Sequence, residues 1–176
     1  MLAGKTTELL KRVERCDIAG QSYRIFKPII DDRYDENKIV THHGMSSEAI
    51  PVEESKDILN HTYEELEAVA IDEMQFFDKE LVEVVKRLRK NKIRVIIAGL
   101  DLDFRGEPFP VSEKIICMAE FVDKLHGVCE VCSEIGTKTQ RIINGEPAHY
   151  DSPTIVVGGS ECYECRCTKH HKVKRG

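Results

Sequence analysis

Three features of the chain predict an α/β fold with a mostly parallel sheet flanked by helices. A Gly-Lys-Thr tripeptide at 4–6 runs straight into a helical pattern. Two compact apolar runs, 68–71 and 93–98, are separated by a helix-like segment, and the first ends in the adjoining carboxylates Asp72 and Glu73. Beyond about residue 125 the texture changes to short polar strands punctuated by cysteines. Residues 1–125 are therefore expected to form one α/β domain and 126–176 a small ribbon.

The elements follow in order. Residues 6–16 read as a helix with Leu9, Leu10 and Val13 on one face. Residues 22–26 read as a short strand stopped by Pro28. From 31 to 55 the chain is polar and irregular, with Asp31, Asp32, Arg33, Tyr34 and the pair His42-His43. So long a connection inside a compact domain is usually functional. The run 68–71 is the kind a parallel sheet buries on both faces. Asp78 is the expected N-cap of a helix carrying Leu81, Val84, Val85 and Leu88 at i, i+3, i+4 and i+7. A second buried strand follows at 93–98, and 136–143 with 154–157 read as the arms of a ribbon.

Composition narrows the class. With 176 residues, 41% hydrophobic and 32% charged, the chain suits one core-forming domain with a small appendage. No stretch approaches the about 18 apolar residues of a membrane span, and no secretory signal is visible. Seven cysteines, an odd number, point to metal binding in a cytoplasmic chain and away from disulfides. A net charge of −5 argues against a nucleic-acid coat. The basic end, Lys169, Lys172, Lys174 and Arg175, reads as a solvated tail.

The segment 1–6 has the form of the second half of a phosphate-binding loop, G-x-x-x-x-G-K-[ST]. Loop N–H groups at a helix N-terminus hold phosphate oxygens; Lys5 would add a point charge and Thr6 a hydroxyl for Mg²⁺. Alone, these residues start a surface helix equally well. The run 69–73 shifts the balance, because a carboxylate at the end of a buried strand can hold Mg²⁺ through water. That role falls to Asp72, and Glu73 is then free to accept the proton of an attacking alcohol. The plainer alternative is a surface acidic pair that ends a strand. The loop's first glycine and its strand would precede Met1, so the expectation is a start assigned too late or a chain lacking a short N-terminal piece.

Cys129-x-x-Cys132 has the spacing of a zinc knuckle, and Cys167-x-x-His170 offers a second half. Three thiolates and an imidazole close a tetrahedral shell, which makes such a site structural. Cys162-x-x-Cys165 has a similar spacing and His171 adjoins His170, so spacing leaves the second half open. A zinc deaminase would need H-x-E and Pro-Cys-x-x-Cys; the first is absent and Val128 precedes Cys129. Cys16 and Cys117 sit in helical patterns and are expected to be inert core residues.

Taken together, A-G-K-T-T-E-L-L at 3–10, F-K-P-I-I-D-D-R-Y at 26–34, I-D-E-M-Q-F-F at 71–77, A-G-L-D-L-D-F-R-G-E-P-F at 98–109, C-E-V-C at 129–132 and V-V-G-G-S-E-C-Y at 156–163 resemble the zinc-containing thymidine kinases of bacteria and vertebrate cytosol. The matching stretches span nearly the whole chain. Members of that family begin earlier, with a strand and a G-P-M-type loop, and Met1 takes the place of that loop's methionine.

The resemblance implies a P-loop fold with a zinc-ribbon lid. It implies transfer of the ATP γ-phosphoryl group to the 5′-hydroxyl of thymidine, with deoxyuridine as a further acceptor, in nucleotide salvage for DNA synthesis. ATP with Mg²⁺ is the implied donor. Glu73 would be the general base, with Lys5 and Arg105 acting on the transferred phosphate. The ATP and Mg²⁺ region would comprise Met1, Leu2, Ala3, Gly4, Lys5, Thr6, Asp31, Arg33, Asp72, Glu73, Met74 and Gln75. Phe104 would contact the thymine ring, Met1, Phe76 and Leu100 would wall the pocket, and Tyr163 would pack on the nucleoside. The run Thr154, Ile155, Val156, Val157 and Gly158 would grip thymine through backbone groups, with Gly158-Gly159 allowing close approach. The step from the lid tyrosine to the third ligand selects Cys129, Cys132, Cys167 and His170 for one structural Zn²⁺, leaving Cys162 and Cys165 as lid residues. A homotetramer, feedback inhibition by thymidine triphosphate, a cytoplasmic location and no nucleic-acid or membrane partner are implied as well. A looser deoxynucleoside kinase is the near alternative. A P-loop ATPase binding nucleic acid through its ribbon is disfavoured by Glu130, Glu134, Glu146, Asp151 and Glu161.

Overall fold

The computed structural model describes residues 2–30, 38–40, 46–155 and 162–175. Helix α1 (Lys5–Ile18) starts at Gly4, whose φ of 73° suits glycine, and buries Leu9, Val13 and Cys16. Strand β1 (Tyr23–Pro28) follows. It runs further than expected because pairing on one side continues to Pro28↔Val52, beyond the last β1–β5 pair at Phe26↔Ile71.

The described parts of the polar stretch 31–55 are more regular than expected. They hold an antiparallel pair, β2 (Lys38–Val40) with β3 (Ser46–Glu48), and an edge strand β4 (Ile50–Val52). Pro51, between Ile50 and Val52, hid β4 from a pattern reading; an edge strand tolerates its missing donor.

Strand β5 (Ala68–Ile71), helix α2 (Leu81–Lys90) and strand β6 (Arg94–Ile97) complete the main layer. The sheet order is β4-β1-β5-β6, parallel throughout. Among the described residues β6 pairs only with β5.

Period-two alternation assigns side chains to the two faces. Ile25, Ala68, Ala70 and Ile96 pack with α1, where two alanines let the helix lie close. Phe26, Val69 and Ile71 pack on the other face with α2 and helix α3 (Pro110–Met118). Burying each large aliphatic side chain stabilises by about 1.5–3 kcal/mol.

Two local expectations need correction. Asp78 is not the N-cap residue of α2; it lies two residues before Glu80, which is. Its carboxylate instead accepts from the N–H of Glu80 at 2.7 Å and of Ser55 at 2.8 Å, fixing the turn that leads into the helix. Cys117 is exposed, not core. It lies two residues past buried Ile115, on the opposite side of α3. Cys16 is buried as expected.

The C-terminal segment is a small ribbon. Strands β7 (Gly127–Val128) and β8 (Ile135–Gly136) pair, and β9 (Lys138–Ile143) lies between β10 (Glu146–Pro147) and β11 (Tyr163–Arg166). Among the described residues the partners of β9 are thus 146–147 and 163–166; Thr154 and Ile155 belong to no strand, and Val156 and Val157 lie outside the described residues. No helix among the described residues is long and apolar enough to cross a membrane.

Candidate active site and metal centre

The N-terminus of α1 meets the carboxyl end of β5. Thr6 Oγ1 donates to Asp72 Oδ2 at 2.9 Å, and the other carboxylate oxygen accepts from the Glu73 N–H at 2.9 Å. The Asp72 N–H bonds to Phe26 O at 2.9 Å, which continues the sheet into the site. Burial pushes the Asp72 carboxyl up, to about 7, and the charge of Glu73 adds to this; Thr6, Lys5 and the Glu73 N–H act against it. A cation beside such a desolvated acidic pair favours the charged form.

Glu73 turns the chain sharply, with φ 51° and ψ 47°, the left-handed region that a non-glycine residue rarely adopts. This turn ends β5 and begins the 3-10 turn Met74–Phe76. Glu73 is buried, and its Oε2 accepts from Gln75 Nε2.

A second cluster surrounds Phe104, which is buried in the connection from β6 to α3. Asp103 Oδ1 accepts from the N–H groups of Arg105 and Glu107 and so shapes this turn. His171 Nε2 contacts Phe104 O at 2.8 Å, linking the turn to the end of the ribbon. The Arg105 guanidinium lies 5.2 Å from the Phe104 ring and 4.9 Å from that of Tyr150, and donates to Ser152 O at 2.8 Å. Arg141, buried on β9, lies 5.6 Å from Phe104 and 6.0 Å from Tyr163, and donates to Pro153 O at 2.6 Å. Two guanidiniums thus link the rings of Phe104, Tyr150 and Tyr163 to the carbonyls just before Thr154.

The Cys/His set forms the third cluster. One ligand atom each from Cys129, Cys132, Cys167 and His170 lie within 4.8 Å of one another. Cys132 Sγ is 3.8 Å from Cys167 Sγ, and His170 Nδ1 is 3.3 Å and 3.9 Å from the sulfurs of Cys167 and Cys129. A tetrahedral site with bonds of about 2.3 Å to sulfur needs ligand separations of about 3.8 Å, so the geometry fits a zinc ion. Burial raises the Cys129 thiol, but the N–H groups of Cys167, Val131 and Cys132 outweigh it and hold the group at about 5. Cys165 lies outside the set: it is buried on β11, and burial pushes its thiol up. A β-carbon at Gly136 would stand 2.4 Å from its sulfur, so only glycine lets the knuckle pack there.

A family model described as thymidine kinase matches residues 1–171. The chain belongs to the thymidine kinase family. A thymidine kinase of Coprothermobacter proteolyticus is 54% identical to it over 173 residues, covering 98% of this chain and 87% of that relative.

Not every residue expected of a thymidine kinase is gathered equally. Lys5, Thr6, Asp72 and Glu73 meet at one corner, and Phe104 and Tyr163 share the Arg141 guanidinium. Leu2, exposed with φ 57°, and half-buried Ala3 precede Gly4 in the loop. Met74, Gln75 and half-buried Phe76 form the 3-10 turn, and half-buried Leu100 follows β6. Thr154 and exposed Ile155 follow the two carbonyls held by Arg105 and Arg141. Met1, Asp31, Arg33, Val156, Val157 and Gly158 lie outside the described residues. A cavity of about 1090 Å³ touches Ala3, Lys5, Met74 and Leu100 but follows β6, and neither Glu73 nor Phe104 lines it. That space therefore does not mark the corner where Thr6, Asp72 and Glu73 meet.

Sequence reading missed Arg141, Tyr150, His171 and Gly99. Arg141 sits in an ordinary strand pattern, and only its aromatic neighbours, distant in sequence, distinguish it. Arg105 was expected on the phosphate; in this structure its guanidinium donates to Ser152 O and lies near two rings.

Proposed function

We propose that this chain is an ATP-dependent thymidine kinase, transferring the γ-phosphoryl group of ATP to the 5′-hydroxyl of thymidine, with deoxyuridine as a further acceptor. One observation carries the reading: Thr6 and Lys5 reach Asp72 from the start of α1, with buried Glu73 beside it. Backbone N–H groups around Gly4 and the Lys5 amine bind the triphosphate. Thr6 and Asp72 would hold Mg²⁺, which when bound neutralises phosphate charge. Glu73 accepts the proton as the 5′-oxygen forms its bond to the γ-phosphorus and the bond to the ADP oxygen breaks.

Phe104 and Tyr163 offer the nucleoside apolar faces, held in place by Arg141. Arg105, which donates to Ser152 O in this structure, would turn to the transferred phosphate when ATP is bound. Residues 126–176 act as a lid over an α/β domain of residues 1–125, and the Cys129, Cys132, Cys167 and His170 set holds one structural Zn²⁺ at its base. A closed four-ligand shell supplies no reactive water, so this ion orders the lid and takes no part in transfer. Asp31, Arg33 and 156–158 remain assigned to the nucleotide and thymine. A cytoplasmic salvage enzyme, homotetrameric and inhibited by thymidine triphosphate, completes the proposal.

The test is ATP consumption with thymidine, deoxyuridine and deoxycytidine offered in turn. Thymidine should give the highest kcat/KM, and Glu73→Gln should lower kcat about 10²–10⁴-fold. Undiminished turnover in that variant would remove Glu73 from its role.

A further inference from the structure

Buried polar groups around Glu73 form a chain of contacts that binding the triphosphate does not require. Gln75 is buried, and both ends of its carboxamide are engaged. Nε2 donates to Glu73 Oε2, and Oε1 accepts from the Leu100 N–H at 2.8 Å. The Leu100 carbonyl in turn accepts from Ser112 Oγ at 2.6 Å, a fully buried hydroxyl in the first turn of α3. Beside this, the Met74 N–H bonds to Ala98 O at 3.0 Å, holding the ends of β5 and β6 together.

The approach depends on Gly99. A β-carbon there would stand 2.4 Å from Met74 Cγ, 2.8 Å from Gln75 Oε1 and 2.9 Å from the Met74 nitrogen. No other residue lets the loop after β6 come this close. A buried carboxamide group left unsatisfied is destabilising, so each partner fixes the other. A glutamate side chain has several staggered conformers, and a donor held rigidly from behind selects one. The loop that holds Gln75 continues to Phe104, so the orientation of Glu73 is tied to the nucleoside pocket.

We propose that Gln75 is a positioning residue for Glu73, its carboxamide carrying the placement of the 99–104 loop, anchored by Ser112, to the carboxylate that receives the acceptor's proton. This rests on Glu73 being the base. Gln75 then acts on the transfer step and contributes little to nucleotide affinity.

A double-mutant cycle tests this, using the full chain with zinc and Mg·ATP and comparing Gln75→Met, Glu73→Gln and both together. kcat is measured alongside the Kd of thymidine and of Mg·ATP. Gln75→Met should lower kcat on the order of 10–100-fold, as expected for a misplaced catalytic group. Both Kd values should stay within about threefold, and the double variant should be no slower than Glu73→Gln alone. Independent, multiplying losses would overturn the proposal, as would weakened ATP binding with parental kcat. Ser112→Ala acts on the far end of the chain and guards against misfolding of Gln75→Met. It should cost a few-fold in kcat that vanishes when Glu73 is already Gln. Parental kcat in Ser112→Ala, with Gln75→Met unfolded, would also overturn it. Parental turnover in Glu73→Gln sinks the base assignment itself, whereas an impaired Glu73→Gln beside additive Gln75 losses sinks only this inference.

Discussion

The phosphate corner and the Cys/His ribbon bring distant residues together by different means. The corner rests on four parallel strands and two apolar clusters, one on each sheet face. Thr6 and Asp72 meet there because a regular helix begins and a regular strand ends at the same edge. The ribbon has strands of two to six residues, and its Cys129, Cys132, Cys167 and His170 meet at a cluster suited to one ion. Core packing positions the first region, and metal ligation is the proposed means for the second. The two should therefore fail separately.

Removing the metal should have the largest effect. Structural zinc supplies about 10–16 kcal/mol of apparent binding energy in small domains. Chelation, or Cys132→Ser, is expected to abolish amide protection in β9 and β11 and thymidine binding with it. Protection in β1, β5 and β6 and binding of ATP should survive. Equal loss of protection in both regions would erase the distinction.

Arg141 probes the contact between the regions. Arg141→Ala removes a bond to Pro153 and a cation from two aromatic faces. Thymidine affinity should fall about tenfold, equivalent to about 1.4 kcal/mol, with ATP affinity unchanged. Arg141→Lys should recover only part, because an ammonium lacks the planar fork. Calorimetric titration of each substrate separates these outcomes.

The smallest expected effect is a pH dependence confined to the corner. Asp72 holds its proton up to about 7 when folded, against 3.8 for the free group. Between those values the folded state binds more protons than the unfolded one, so stability falls as pH rises. The nucleotide- and metal-free protein should lose stability from about pH 4 to about pH 7, and Asp72→Asn should flatten that descent. A denaturation series in both proteins reads it directly; an unchanged slope in the variant would place the titration elsewhere.

Legibility in the sequence divides along the same line. The apolar periodicity of α1, α2, β5 and β6 marks each element, because a packed layer demands it of every residue. The acidic pair was legible as the end of a buried strand. By contrast, β4 was hidden by Pro51, and β11 was not anticipated as a partner of β9. The four residues of β11, Tyr-Glu-Cys-Arg, lack the apolar run that marks the equally short β5 and β6, and the ribbon is ordered by contacts that periodicity does not encode. Arg141 and the proposed positioning role of Gln75 show the same limit at single residues. Their roles come from what lies across the fold, Phe104 for one and Leu100 for the other.

The structure of the chain bound to a non-hydrolysable Mg·ATP analogue and thymidine tests the convergence of Lys5, Thr6, Asp72 and Glu73 most directly. The triphosphate should lie against residues 4–6, with the metal beside Thr6 and Asp72. The 5′-hydroxyl should sit about 2.6–3.2 Å from the Glu73 carboxylate. A triphosphate bound away from Gly4 and Lys5, or a 5′-hydroxyl facing away from Glu73, would contradict it.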